Sequence, residues 1–487
     1  MRLSDAFAPV YARVGWRPVS GSIKPVHLAN GLFRSLLGER RDVTDAVSLL
    51  VPWRRKSAGE PDPDRTHASL TGRDPRYATY AGEGGRAAFE SLREHLRGLL
   101  AADGAVFPSA EHSSLTLTCG QMVSGDANDR NVGRFMAGIL MGEDGKGRLA
   151  ELLARTVCSE RMPEDPISRA AWPLLAEGGH PAPACAPDLT VLSMPETRGF
   201  ATRMAQASEC LAGHEEAHGN RLASMRRGVS FCCLGLVAHA QWLPCHGNPE
   251  LRMPLFAEVG APRRSRLAAA SSASLDAFHF AFEGWIVDAL ANVLTEGAAP
   301  IALPPPERME EFFTSLATDK GEAPGRQLVE ERMARLEQAA AGKGTWARTV
   351  ARALFLCHQS EAASGGPRQF VDGIARRCGL VYPHFQGGDG DRRVRLSPQV
   401  LDTLVRSCVP VGTMSSLADF LGVLWDRFGI IIGGRGVADT GPLRRAGAEV
   451  GPADLETNAR TFVATLEELG LARRRPDGIA HVGTWDG

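Results

Sequence analysis

The chain has 487 residues, of which 44% are hydrophobic and 23% charged, with a formal net charge of −1. That length exceeds what one hydrophobic core organises, so several domains are expected, and the composition excludes wholesale disorder or a collagenous repeat. The neutral total hides basic clusters at Arg54-Arg55-Lys56, Arg263-Arg264, Arg392-Arg393 and Arg473-Arg474-Arg475, which fits a protein that touches an anion locally.

Residues 1–110 read as an α+β region. The opening, MRLSDAFAPVYARVGW, has neither a long apolar core nor a small-residue cleavage site, so no signal peptide is expected. Ten scattered cysteines then point to reduced thiols and a cytoplasmic location. Residues 56–85 are polar and dense in Pro and Gly and read as a long loop. Beyond it, Phe89, Leu92, Leu96, Leu99 and Leu100 recur at helical spacing.

Residues 111–300 read as a helical core domain. Alternation in SSLTLTCGQMVSG predicts a strand over 113–125, and NVGRFMAGILMG and GRLAELLARTVC predict helices. From Pro195 on, Phe200, Met204, Ala207, Leu211, His218, Leu222 and Met225 recur at steps of three, four or seven, predicting one helix of about 30 residues. The longest nearly apolar stretch, GVSFCCLGLVAHAQWLP at 228–244, carries Ser230, His239 and Gln241 and is short of the roughly 20 residues that span a bilayer. It predicts a buried helix and no membrane partner. LDAFHFAFEGWIVDALANVLT, 275–295, is apolar almost all round and predicts a second one.

Pro304, Pro305 and Pro306 cannot continue a helix, so 301–395 reads as a linker and helical region. Within it, RQLVEERMARLEQAAAG predicts a charged helix with Glu331 set for an i,i+4 pair with Arg335.

Residues 214–218 spell His-Glu-x-x-His. Residues four apart share one helix face, so two imidazoles can reach one Zn²⁺ while the adjacent Glu takes a proton from metal-bound water. Over these five residues the chain resembles the zincin metallohydrolases. The resemblance implies His214 and His218 as zinc ligands and Glu215 as general base. At about 100° per residue, His214, Glu215 and His218 share the sector of Met204, Leu211 and Leu222 and should point inward. The further His of the extended metzincin pattern is absent. Glu250, Glu258 and Glu283 are candidate third ligands, with Glu283 preferred because its buried helix also carries His279. The alternative is a buried helix whose histidines hydrogen-bond their neighbours, with no cofactor.

Cys232-Cys233, Cys245-His246 and Cys357-His358 lack the paired C-x₂₋₄-C knuckle of structural zinc and read as buried thiols. EDGKGR and AAGKGT lack the Ser or Thr after Lys that a phosphate loop needs, and no G-x-G-x-x-G follows a strand. Nucleotide hydrolysis and dinucleotide binding by these routes are therefore not expected.

Residues 396–487 read as one module. Leu401, Leu404 and Val405 mark a helix; Ser415 or Ser416 caps a second that buries Leu417, Phe420, Leu421, Leu424 and Phe428. After the β-like Ile430-Ile431-Ile432 and a 20-residue insertion, a last helix starts near Pro452 and stops at Gly470. LARRR-PDG-IAHV then predicts a hairpin. Helices followed by a basic hairpin resemble the winged-helix family over about residues 396–483. On that resemblance Thr457, Asn458, Arg460 and Thr461 would form the exposed reading face of the last helix, with Arg473, Arg474 and Arg475 on the wing against DNA phosphates.

The expected protein is thus mainly α and multidomain, with minor β and a C-terminal winged-helix-like module. The expected role is that of a subunit binding double-stranded DNA, or scaffolding other protein subunits, in a larger bacterial assembly. In overall look it is similar to large chains of bacterial genome-defence systems. The alternatives are a zinc hydrolase using His214, Glu215 and His218, and a structural adaptor with neither metal nor nucleic acid.

Overall fold

A computed structural model of the chain describes residues 2–18, 23–37, 40–42, 131–157 without 143, 180–182, 192–297 without 193 and 220, and 301–484 without 319–320, 362–365, 385–391 and 477, besides the single positions 85 and 87. The expected loop at 56–85, the helix carrying Phe89 and the strand over 113–125 lie outside the described residues. The described part is mainly helical, with only short strands.

α2 (Pro25–Leu37), α3 (Val132–Met141) and α4 (Arg148–Val157) pack against one another, α1 (Ala8–Val14) packs on the long helix Arg266–Thr295, and β1 (Arg40–Asp42) pairs antiparallel with β2 (His180–Ala182). α2 and α3 cross where glycines meet. A Cβ on Gly133 would stand 2.2 Å from the Leu32 backbone nitrogen, so any other residue would push the helices apart.

The single helix expected from Pro195 is two, α5 (Pro195–His218) and α6 (Arg221–Trp242). α5 ends at His218 because Gly219, a poor helix former, is extended. The apolar stripe therefore changes helix after His218, and Leu222 and Met225 belong to α6. α6 is the buried helix expected over 228–244. The segment Ala223–Cys245 is long and apolar enough to cross a membrane, but nearly all of its apolar stretch is buried within the molecule. α2, α4, α5 and α7 (Arg266–Thr295) all pack against it. α7 begins nine residues before the expected start, because Ser265 caps it by accepting from the Ala268 amide. The Ala- and Ser-rich first turns carry little apolar signal but form helix readily.

The chain continues through α8 (Met309–Ser315), α9 (Arg326–Ala340), α10 (Trp346–Glu361), α11 (Pro367–Arg377) and a small hairpin of β4 (Val381–Tyr382) and β5 (Arg393–Val394). In α9 the expected Glu331–Arg335 pair does not form. Glu331 accepts from Gln327, and Arg335 donates to Gln338. Arg332 on the inner face is buried, bonded at both ends of its fork to Glu361 at 2.7 Å.

The C-terminal unit runs α12 (Pro398–Cys408), β6 (Ser415–Ser416), α13 (Leu417–Phe428), β7 (Ile430–Ile431), α14 (Val437–Arg445), α15 (Pro452–Glu468), β8 (Ala472–Arg474) and β9 (Ala480–Val482). Ser416 caps α13 by accepting from the Asp419 amide. α15 gives way to Gly470 at φ +71°, which favours a residue without a Cβ. β6, β9 and β8 form an antiparallel sheet in that order.

β7 pairs in parallel with β3 (Leu255–Phe256) from the middle of the chain. The same segment donates from the Glu258 amide to the Val394 carbonyl of β5, so residues 255–258 strap the C-terminal unit to the body. Asn458 on α15 bolts this strap. It donates to the Ala257 and Ile432 carbonyls at 2.9 and 2.7 Å and accepts from the Val259 amide at 2.9 Å. At 1% exposure it does not belong to the solvent face expected for it, because three backbone groups left open by the strand crossing draw it inward. Asn458→Ala leaves two carbonyls and an amide buried without partners and should cost at least about 3 kcal/mol, read as a lower urea midpoint; an unchanged midpoint would refute the bolt.

Among the described residues, Leu3, Phe135, Leu354 and Val482 all enter one continuous apolar cluster. A second, smaller cluster joins Phe256, Ile431, Leu443 and Leu455.

Candidate functional site

The last two turns of α5 carry His214, Glu215 and His218. His214 is 1% exposed, with Nε2 2.8 Å from the Val409 carbonyl oxygen and Nδ1 3.4 Å from Thr484 Oγ1. A carbonyl only accepts, so Nε2 bears the proton and Nδ1 accepts from the hydroxyl. The ring thus ties α5 to the end of α12 and to the residues after β9, and both nitrogens are engaged.

Glu215 is buried on the same side. Both its oxygens are held by the Arg227 fork from α6, with Nη2 2.9 Å from Oε2, and Ser224 Oγ donates to Oε2 at 2.5 Å. Arg227 also reaches Asp402 of α12 at 3.3 Å, and Arg406 holds Asp402 at 2.7 Å. The acid hydrogen bond and nearby carboxylates raise the Arg227 pKa against the effect of burial. His218 is exposed at the helix end. Glu283 lies on α7, accepting from Gln359 of α10 at 2.8 Å, and burial raises its pKa.

The structure therefore draws His214 and Glu215 into two separate protein networks, turns His218 outward at the Gly219 break, and sets Glu283 against another helix. Among the described residues no group of three His, Cys, Asp or Glu side chains is arranged to hold a metal. Of the other third-ligand candidates, Glu250 is exposed. Burial holds the Cys245 thiol at about 11 and Cys357 and Cys378 at about 12, so these stay protonated and lack the thiolate that a nucleophile needs.

Glu258 turns out to be the centre of a charged cluster. Its side chain is fully buried, and Oε1 accepts from Arg393 Nε at 2.7 Å. Arg395 and the Ala261 amide bond to Oε2 at 3.3 and 2.8 Å. Both guanidiniums lie over the Tyr382 ring, 4.9 and 5.3 Å from its centroid. Sequence reasoning had Glu258 only as a metal candidate and Arg392-Arg393 only as a basic spot. Nothing local joins residues 135 positions apart; the β4–β5 hairpin and the 255–258 strap do so.

On the C-terminal unit, Thr457, Arg460 and Thr461 are exposed along α15, unlike Asn458. Thr457 and Thr461 hydroxyls donate to the carbonyls of Ala453 and Thr457, four residues back, leaving their lone pairs outward. Arg473, Arg474 and Arg475 are exposed on the hairpin, and Arg474 Nε lies 3.2 Å from Glu467. Arg473 stands opposite His481, which stands opposite Ser416. Directly opposed residues share a face of the sheet, so a polar row with a cation at its edge crosses all three strands. No protein-family model, curated protein or solved structure matches this chain.

Proposed function

We propose that residues 396–484 form a winged helix and that the chain is a DNA-binding subunit of a larger assembly. The observation that carries this reading is the sheet order β6-β9-β8, in which the strand between the first two helices pairs with the far strand of the terminal hairpin. Three consecutive exposed arginines on that hairpin, beside Arg460 on α15, supply charge for duplex phosphates. Glu456 and Glu468 are exposed on the same helix, so the wing rather than the helix carries the electrostatic share. The bolted Asn458 supports a unit held at a fixed angle to the body, so that a bound duplex is aligned with whatever the body engages.

The test is fluorescence anisotropy of a labelled duplex titrated with the full chain over a series of salt concentrations. Each phosphate contact contributes about 0.9 to the slope of log affinity on log salt, so losing three weakens binding roughly a hundredfold near 0.15 M salt. Arg473→Glu/Arg474→Glu/Arg475→Glu should show at least that loss and a shallower slope. Wild-type chain that binds no duplex, or a triple variant that binds as well as wild type, would overturn the reading and leave the unit as a docking module for other subunits.

A further inference from the structure

A cavity of about 160 Å³ lies between the inner face of α15 and the body, lined by Phe462 and Thr465 on one side and by Glu258, Val259, Arg395 and Leu401 on the other. At roughly 30 Å³ per water this is room for about five waters. Val259, Leu396, Leu401 and Phe462 make its apolar wall, and Glu258 and Arg395 its charged one.

The carboxylate on the charged wall is more fully used than the guanidinium. The Glu258 carboxylate is spent on Arg393, Arg395 and the Ala261 amide. On the cationic side, Arg395 shares that one carboxylate with Arg393, which lies outside the cavity lining; Arg395 Nη2 also donates to the Ala261 carbonyl at 3.2 Å, and Arg395 Nε has no aligned acceptor. Arg395 Nε does lie 2.7 Å from Glu258 Oε1, but its N–H is not aligned with that oxygen. The Tyr382 ring offsets part of the guanidinium charge, while an amide or guanidinium N–H buried without an acceptor remains costly. An acceptor entering beside Arg395 would relieve that cost.

We propose that this cavity is a binding site for a small organic anion, a carboxylate or phosphate monoester bearing a short apolar group. The charged end meets Arg395, and the apolar end lies on Leu396, Leu401 and Phe462. Because one wall is α15 and the other the strap, the ligand fastens the C-terminal unit to the body. This site does not depend on the DNA-binding reading, and its test involves no nucleic acid.

The experiment is thermal unfolding of the full chain at constant ionic strength with butyrate, methyl phosphate or chloride. Butyrate or methyl phosphate, whichever the site takes, should raise the midpoint saturably by about 1–2 °C over chloride. Arg395→Met should abolish the saturable part, and Arg395→Lys, which keeps the charge but not the fork, should weaken it at least several-fold. A wild-type response to both anions equal to that of chloride overturns the proposal without recourse to any variant. So does a saturable shift that survives in Arg395→Met.

Discussion

Glu215→Gln should destabilise the folded chain by about 3 kcal/mol. Removing one partner of a buried ion pair typically costs about 3–5 kcal/mol, because the other charge stays buried and uncompensated. The Glu215 side chain is 1% exposed and faces the Arg227 fork. Arg227 keeps Asp402 at 3.3 Å, which sets the loss at the low end. Gln preserves shape and can still accept from Ser224, so the loss reports charge rather than volume. Urea denaturation of wild type and variant measures it. The zinc-hydrolase alternative makes the opposite prediction, since a general base can be neutralised without loss of fold or metal. A Gln variant as stable as wild type and carrying stoichiometric zinc by mass spectrometry would overturn the stabilising role of the Glu215–Arg227 pair and restore the hydrolase.

Stability should fall steeply in mild acid, and His279→Leu should remove part of that fall. His239 and His279 are buried, and burial depresses both from the ordinary 6.5 to about 3, with Arg368 and Arg392 adding to the effect at His279. Both are therefore neutral in the folded chain, and Trp16 Nε1 donates to His239 Nδ1. A base with a depressed folded pKa contributes stability that is complete above 6.5 and is lost as pH falls toward 3, because the unfolded chain takes the proton first. Each histidine then contributes a slope of about 1.4 kcal/mol per pH unit in that window. Burial raises Asp372 and Glu283, and these oppose the trend, gaining stability as pH falls through their raised values. The two histidines together set a loss of up to about 5 kcal/mol between pH 6 and pH 4. His279 has no hydrogen-bond partner on either nitrogen, so Leu removes the titration without stranding a neighbour. Denaturant curves at pH 6.5, 5.5 and 4.5 should show the variant gaining on wild type by about 1.4 kcal/mol per unit. Parallel curves would mean that the ring takes up its proton in the folded chain.

Several local signals were legible, although the helix break after His218 and the helix α14 within the expected insertion were not. The buried helix over 228–244, the Ser416 cap, the stop before Gly470 and the hairpin after Leu471 all rest on period, capping chemistry or turn residues within a few positions. α7 was legible only from Leu275, since Ala and Ser turns carry no apolar period. The His-Glu-x-x-His motif shows the limit of local reading. Its spacing is correct for two ligands on one face, but helix phase does not reveal that Gly219 ends the helix with His218 on the exposed side, or that Val409 and Thr484 occupy His214. Asn458 shows the same limit from the other side. On a wheel it borders Thr457 and Thr461, and only the strand crossing at 255–258 makes it a core residue.

By itself the sequence determined a mainly helical chain with little β-structure, the identity of its central apolar helix, and three helices and the terminal hairpin of the C-terminal unit, because each follows from backbone preference and burial of nearby side chains; it missed β6 and the helix α14 inside the expected insertion. Only the tertiary structure decided which polar side chains are neighbours. The pairing of β7 with β3, the joining of Glu258 to Arg393 and Arg395, and the cavity against α15 all bring together residues more than a hundred positions apart. Such contacts are selected by closure of the whole core, in which each buried charge or open backbone group must find its partner, and no local pattern encodes that choice.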